Sequence, residues 1–334
     1  MKNYIIRLKN STRGFFLKNR SLIALYYLPR IAFASIEWYI LTRKIKLDKD
    51  EWGFVFNEHL GDLYINCSLS NSFIKAHPNT KFVAITYDTP SFGFIPTMFP
   101  SISRVIKVKR LPKLINSKLI SQFFKFGVGC VLPSNIKLTD FGVTNFYAEK
   151  KRFFSLPIDT PLSPPLRPSK KSYSKARKLF SSFCLKEGKT VILAPHAKSG
   201  KEFTPRFWEN MATFLKELGF LPVQEIVPGE SLISNVKQIS FPIDVAIPMV
   251  ELAGTLISLR SGLCDAVSSA KANLLVLYPY YKQTTDAQSP ITWQKFHSMK
   301  EYASYNKYIK EFLMDINANM SSIKRTIGSV LIAK

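Results

Sequence analysis

Acidic residues are scarce in this chain. Only 23 Asp and Glu stand against 47 Lys and Arg, a formal charge of +24 over 334 residues. So one-sided a balance says nothing about fold, but it directs attention to polyanions: nucleic acid, an anionic membrane surface, or phosphorylated and acidic glycans. Cysteine is scarce too. Cys67, Cys130, Cys184 and Cys264 are widely spaced with no Cys-x-x-Cys pair, which argues against a zinc site or a disulfide framework and fits a reducing cytoplasm. Long apolar runs are missing. The run at residues 21–28 ends in Pro29-Arg30, and the next, 31–41, carries Glu37. Neither reaches the roughly 20 apolar residues of a spanning helix, and no small-residue cleavage site follows. No RNA-recognition, KH or helix-turn-helix signature accompanies the basic charge, so nucleic acid is not an expected partner. The Gly-x-x-x-x-Gly-Lys spacing of a Walker A loop is absent as well.

What is present belongs to a folded protein, 46% apolar and 13% aromatic. Its length exceeds what one core usually covers, so two domains are expected. Residues 1–50 form a basic section, with 11 Lys and Arg against three acids and interleaved aromatic side chains. That mixture suits either helices lying in a membrane interface or ordinary helices packed on the first domain. From residue 52 strands and helices alternate: strands at 52–56, 82–87 and 105–108, with a helix over 63–76. Residues 155–174 hold five prolines without apolar periodicity, the best domain boundary in the chain. The second half repeats the rhythm, with strands at 190–194, 221–226, 255–259 and 274–278 and helices at 175–183, 205–218 and 263–272. The expected division is 1–50 basic amphipathic helices, 51–165 a first Rossmann-like domain, 175–300 a second, and 301–334 C-terminal helices. Two open α/β sheets facing a cleft bind ligands beyond the carboxyl ends of their strands.

Three loops fall there. His59-Leu60-Gly61-Asp62 follows the first strand, and Asp62 is placed either to accept a proton from an attacking hydroxyl or merely to cap its helix. Pro195-His196-Ala197-Lys198-Ser199-Gly200-Lys201 follows another strand. Its lysines and turning backbone suit a phosphate-bearing ligand, through His196, Lys198, Ser199 and Lys201. Arg260-Ser261-Gly262 opens a helix containing Asp265, a ready anion site unless Ser261 is simply an N-cap and Arg260 points outward. Arg104, Lys107, Lys109 and Arg110 belong to a stretch, 101–125, with seven basic residues and no acid, a candidate membrane or acceptor surface or a solvated face.

Taken together, the three loops resemble the heptosyltransferase-like glycosyltransferases of family 9. Leu60-Gly61-Asp62 matches that family's Leu-Gly-Asp turn. Pro195-His196-Ala197 with Lys201-Glu202-Phe203-Thr204-Pro205 is similar to its Pro-Gly-Ala…Lys-x-Trp-Pro stretch. Arg260–Asp265 lies over its Asp-Ser-Gly-x-x-His element, with Arg260 replacing the Asp and Asp265 the His. The likeness spans roughly residues 52–290, and the two replacements mark a divergent branch, similar to surface-polysaccharide transferases. It implies a GT-B fold and a nucleotide-sugar donor with no further cofactor. The reaction implied is an inverting transfer to a lipopolysaccharide, capsule or other surface glycan, acidic or lipid-linked, at the inner face of a bacterial cytoplasmic membrane. Asp62 becomes the candidate base, with Glu58 in reserve. Metal independence is expected, since the one Asp-x-Asp triplet, Asp48-Lys49-Asp50, precedes the first core strand. The alternatives are a non-catalytic scaffold of the same fold and a nucleic-acid-binding protein.

Overall fold

The computed structural model describes residues 45–56, 59–109, 130–131, 146–197, 202–226, 229–280, 294 and 297–332. The first unit is a parallel sheet of strands β1 (Glu51–Phe56), β2 (Lys81–Tyr87), β3 (Ile102–Val108) and β4 (Cys130–Val131), ordered β3-β2-β1-β4. Its strands β1 and β2 are almost wholly buried, as parallel strands covered on both faces must be. Helices α1 (Leu60–Ser68) and α2 (Ser70–Ala76) lead from β1 to β2, occupying the expected 63–76 helix with a break at Leu69. Phe54, Phe73, Phe82 and Phe154 stack into one aromatic nest beneath them.

Helix α3 (Phe146–Phe153) is followed by the proline-rich segment. That segment runs extended and is tied to the first unit where Ser163 N–H donates to Ser68 O and Leu166 N–H to Met98 O. It ends at Ser169, whose hydroxyl caps helix α4 (Lys170–Ser182) by accepting from Ser172 N–H.

The second sheet is parallel throughout and has six strands: β5 (Thr190–Ala194), β6 (Leu221–Glu225), β7 (Lys237–Ile239), β8 (Gly254–Leu259), β9 (Asn273–Tyr280) and β10 (Ile309–Asp315). Helices α5 (Pro205–Glu217), α6 (Ala246–Ala253) and α7 (Gly262–Ala266) connect them. The order β10-β9-β8-β5-β6-β7 reverses direction at β5 and β8. In such a sheet the crevice between those two strand ends is the ligand site. Thr204 and Pro205 start α5 as its sequence suggests: the Thr204 hydroxyl accepts from Phe207 N–H, and Pro205 sits in the first turn.

The tail departs from expectation. Residues 309–315 are not helical but form β10, paired in register with β9. Lys, Glu, Leu and Met favour a helix only weakly, and seven residues of ladder along a buried strand outweigh that preference. The helix expected over 263–272 is also shorter, ending at Ala266.

One hydrophobic cluster runs through both units, from Phe54, Tyr64 and Phe99 to Ala253, Cys264 and Tyr278. Polar groups stitch the seam as well. Tyr64 of α1 meets Ser268 at 2.9 Å, and Ser268 meets Tyr305 at the same distance. Among the described residues no helix is long and apolar enough to cross a membrane.

Candidate functional site

The amino ends of α1 and α7, one from each unit, meet at the seam. A Cβ on Gly262 would lie 2.9 Å from Gly61 N, and one on Gly61 would collide with Asp265 Oδ2. Glycine at both positions is what lets the two backbones approach this closely. The Leu-Gly-Asp turn and the Arg-Ser-Gly turn, 200 residues apart in sequence, therefore form one structure.

Asp62 stands in the first turn of α1, where a carboxylate complements the helix dipole. It is not the cap: His59 holds that position without a side-chain bond. Its carboxylate is 22% exposed, and Oδ1 lies 3.7 Å from the Nζ of Lys150, a buried lysine on α3.

Arg260 follows β8, and its fork is turned inward. Nη1 donates to Asp265 Oδ2 and Nη2 to Asp265 Oδ1, both at 2.8 Å. Nη1 also donates to Ser261 O, Nη2 to the Tyr147 hydroxyl and Nε to His297 O. Five acceptors thus meet the five N–H groups a guanidinium carries. The expectation of a fork open to a diphosphate is not met here; Arg260 is locked by Asp265, and the pair is 7% and 2% exposed. Ser261 is the N-cap of α7 by position, with no side-chain cap bond. His297 closes this cluster. Burial, then Arg260 and Lys150, push its pKa down to about 3, so the ring is neutral at ordinary pH.

On the other side of β5 lies a second cluster. His196 Nδ1 is 3.1 Å from Glu202 Oε1, and Nε2 is 3.0 Å from Ser231 O. Burial acts to lower its pKa, but the Ser231 carbonyl and the Glu202 carboxylate outweigh that and raise it. Glu225, the last residue of β6, sits nearby. Burial, reinforced by Glu230, pushes its carboxyl up to about 7. Pro195, Trp208 and Leu232 line a small cavity beside His196 and Glu202.

Glu225, Lys150 and His297 were missed in the sequence. Glu225 was findable: in a doubly wound sheet an acid at the end of the second strand faces the ribose of a bound nucleotide. Nothing in the run Glu149-Lys150-Lys151-Arg152 distinguishes the one lysine that is buried.

The basic stretch is dispersed. Arg104 reaches toward the amino end of β1, where it pairs with Glu51 and donates to Lys46 O. Lys107 lies at the carboxyl end of the edge strand β3, its stem against Gly93, and Lys109 follows. Asp50 pairs with Lys81 at 2.8 Å, before β1 and away from the strand ends that face the cleft. Residues 1–44, Glu58, Arg110, Lys198, Ser199 and Lys201 lie outside the described residues.

No protein-family model matches the sequence, and no curated protein matches it. Solved structures do. A glycosyl transferase family 9 protein from Veillonella parvula superposes with a TM-score of 0.54 at 13% identity, over 87% of this chain and 92% of that one. The ADP-heptose lipopolysaccharide heptosyltransferase II of E. coli gives 0.55 at 12% identity, over 85% and 99%. The fold is GT-B. The two sheets described above are its two Rossmann-like halves, and the seam between α1 and α7 lies where those halves meet.

Proposed function

We propose that this protein is a glycosyltransferase, moving a sugar from a nucleotide-sugar donor to a hydroxyl of a surface glycan, with inversion and without a metal ion. One observation carries the reading. Gly61, the residue before Asp62 in the first half, packs against Gly262 in the turn that follows β8 at the switch point of the second half. A proton acceptor on one wall and a nucleotide-binding crevice on the other are the two parts that this reaction needs.

In this reading Asp62 takes the proton of the acceptor hydroxyl as the oxygen attacks the sugar. The leaving diphosphate is met by Lys198 and Lys201, by Ser199, and by backbone amides at Ser261-Gly262, positive and polar groups that stabilise developing charge. Glu225 and His196 face the nucleoside, with Glu225 at the position that binds ribose hydroxyls in this sheet order. Arg260 serves through Asp265, as the rigid floor of the turn. The solved heptosyltransferase is named for ADP-heptose and lipopolysaccharide, which supports a nucleotide sugar as donor and a surface glycan as acceptor. The surplus of basic residues, Lys107 and Lys109 among them, supports an acidic or lipid-linked acceptor and a place on the inner face of the cytoplasmic membrane.

The test is a thermal-unfolding screen of the full chain against ADP-, GDP-, UDP- and CMP-sugars, with and without excess EDTA. One nucleotide class should raise the midpoint, by about 4 kcal/mol of linkage at 1,000 times its Kd, and EDTA should leave that shift intact. No shift with any donor would overturn the reading, and a shift that EDTA abolishes would overturn its metal-free form.

A further inference from the structure

We infer that the outer face of helix α4 is a docking surface for an anionic lipid bilayer, the side on which the second half rests against the membrane. The inference rests on the membrane place in the reading above, not on Asp62, and it names the surface that makes the contact.

Helix α4 (Lys170–Ser182) carries five basic residues and no acid. At 3.6 residues per turn, Lys170, Ser174, Arg177 and Ser181 fall on one line, with Lys171 and Lys178 beside it. All six are exposed. Ala176 and Phe180 take the opposite side and are buried. Two acids of the elements packed against α4 are used at its edges. Asp244 pairs with Lys175 at 2.9 Å, and Glu251 of α6 pairs at 2.8 Å with Arg167, which precedes the helix. Lys170, Lys171, Arg177 and Lys178 form no ion pair among the described residues. Lys186 and Lys189 follow, both exposed, with only Glu187 as an acid between them.

The first turn makes the pattern informative. The amino end of a helix is positive, and acids are the residues that suit it. Here Lys170 and Lys171 come directly after the Ser169 cap, and the turn holds no acid. Both lysines work against the dipole of their own helix. A local rule broken without a compensating contact marks a functional position. An anionic partner reverses the balance, because the dipole and the lysines then attract it together.

A bilayer suits this face better than nucleic acid does. The stripe consists of cations separated by small serines, with no exposed ring on which a base could stack. Tyr173, the one tyrosine of the helix, is half-buried and donates to Glu251. Leu166, just before the helix, is 52% exposed and supplies an apolar side chain that a lipid interface can bury.

The test is co-sedimentation of the full chain with vesicles of phosphatidylcholine mixed with phosphatidylglycerol, and with phosphatidylcholine alone. The wild-type protein should bind only the anionic vesicles and leave them at high salt. Each cation near an anionic surface strengthens binding about fivefold. Changing Lys170, Lys171, Arg177 and Lys178 together to Gln should therefore weaken it by about 100-fold or more. A control loses the same charge through Gln at Lys75, Lys300, Lys310 and Arg325, which are exposed elsewhere. It should weaken binding by about threefold or less, the share of net charge alone. Both variants should keep the wild-type shift in thermal unfolding with a nucleotide sugar. If the first variant does not fold, Lys170→Gln with Lys171→Gln carries the test. That pair removes cations from a positive helix end, so the thermal midpoint should not fall, while vesicle binding should weaken by about tenfold or more. Equal losses in the α4 variant and the control, or no loss in the α4 variant, would overturn the inference and leave the membrane place standing. Wild-type protein that ignores anionic vesicles would remove both. Binding to a single-stranded or duplex oligonucleotide that needs these four residues, with vesicle binding unchanged by their loss, would also overturn it and give the face to nucleic acid.

Discussion

Two histidines flank the carboxyl edge of the second sheet, and their surroundings drive them apart. His297 lies at the seam among burial, Arg260 and Lys150, and is held neutral, with a pKa of about 3. His196 lies beyond β5 beside Glu202 and the Ser231 carbonyl, and its pKa is raised. The same contrast holds for the charges around them. At the seam opposite charges pair: Asp62 with Lys150, Arg260 with Asp265. On the far side Glu202 pairs with His196, and Glu225, with Glu230 close by, is raised to about 7. The first cluster is built on ion pairs that frame the seam. The second sets a histidine and a carboxyl, both with raised pKa, side by side.

The largest effect expected from breaking this contrast is at the Arg260–Asp265 pair. Arg260→Ala breaks a buried ion pair whose carboxylate is 2% exposed, which costs about 3–5 kcal/mol. Urea unfolding should register that loss, and nucleotide binding should fall only as far as the turn loosens. Replacing both residues by the Asp and His of the resembled family should restore much of the stability. If Arg260→Ala is as stable as wild type, the pair is not the frame described here.

That pair also shows how far the sequence could be read. Leu60-Gly61-Asp62 and Arg260-Ser261-Gly262 follow strands and precede helices, so their place at the cleft was legible from pattern and punctuation. The parallel strands were legible because they are short apolar runs between turns. Where Arg260 points was not legible, because a guanidinium beside a diphosphate and one folded back on Asp265 have the same local sequence. Lys150 was hidden for the same reason, since burial of one lysine among three is decided by contacts with a helix almost 90 positions earlier. Strand β10 was misread because its composition favours a helix and only the neighbouring strand makes it extended.

A smaller effect follows from the titrations. Folding lowers His297 from 6.5 to about 3, so the unfolded chain binds the extra proton and stability falls as pH drops below about 6.5. Folding raises Glu225 from 4.5 to about 7, so its contribution is full below 4.5 and is lost as pH rises through 7. Between 4.5 and 6.5 the two slopes oppose. In that window His297→Gln should make stability fall with rising pH, and Glu225→Gln should make it rise. Each change is at most about 1.4 kcal/mol per pH unit. Urea midpoints at pH 5 and pH 6.5 decide it, and identical pH profiles in both variants would mean that the two clusters do not differ as described.

The account turns on the proposal that Asp62 takes the proton of the acceptor hydroxyl. Its most direct test is to compare Asp62→Asn with the wild-type protein in sugar transfer and, by calorimetry, in donor binding. The account predicts a fall in turnover of about 100-fold or more, the usual size of a lost general base, with donor affinity unchanged. Turnover within a few-fold of wild type would contradict it and move the base to another group, with Glu58 the next to examine.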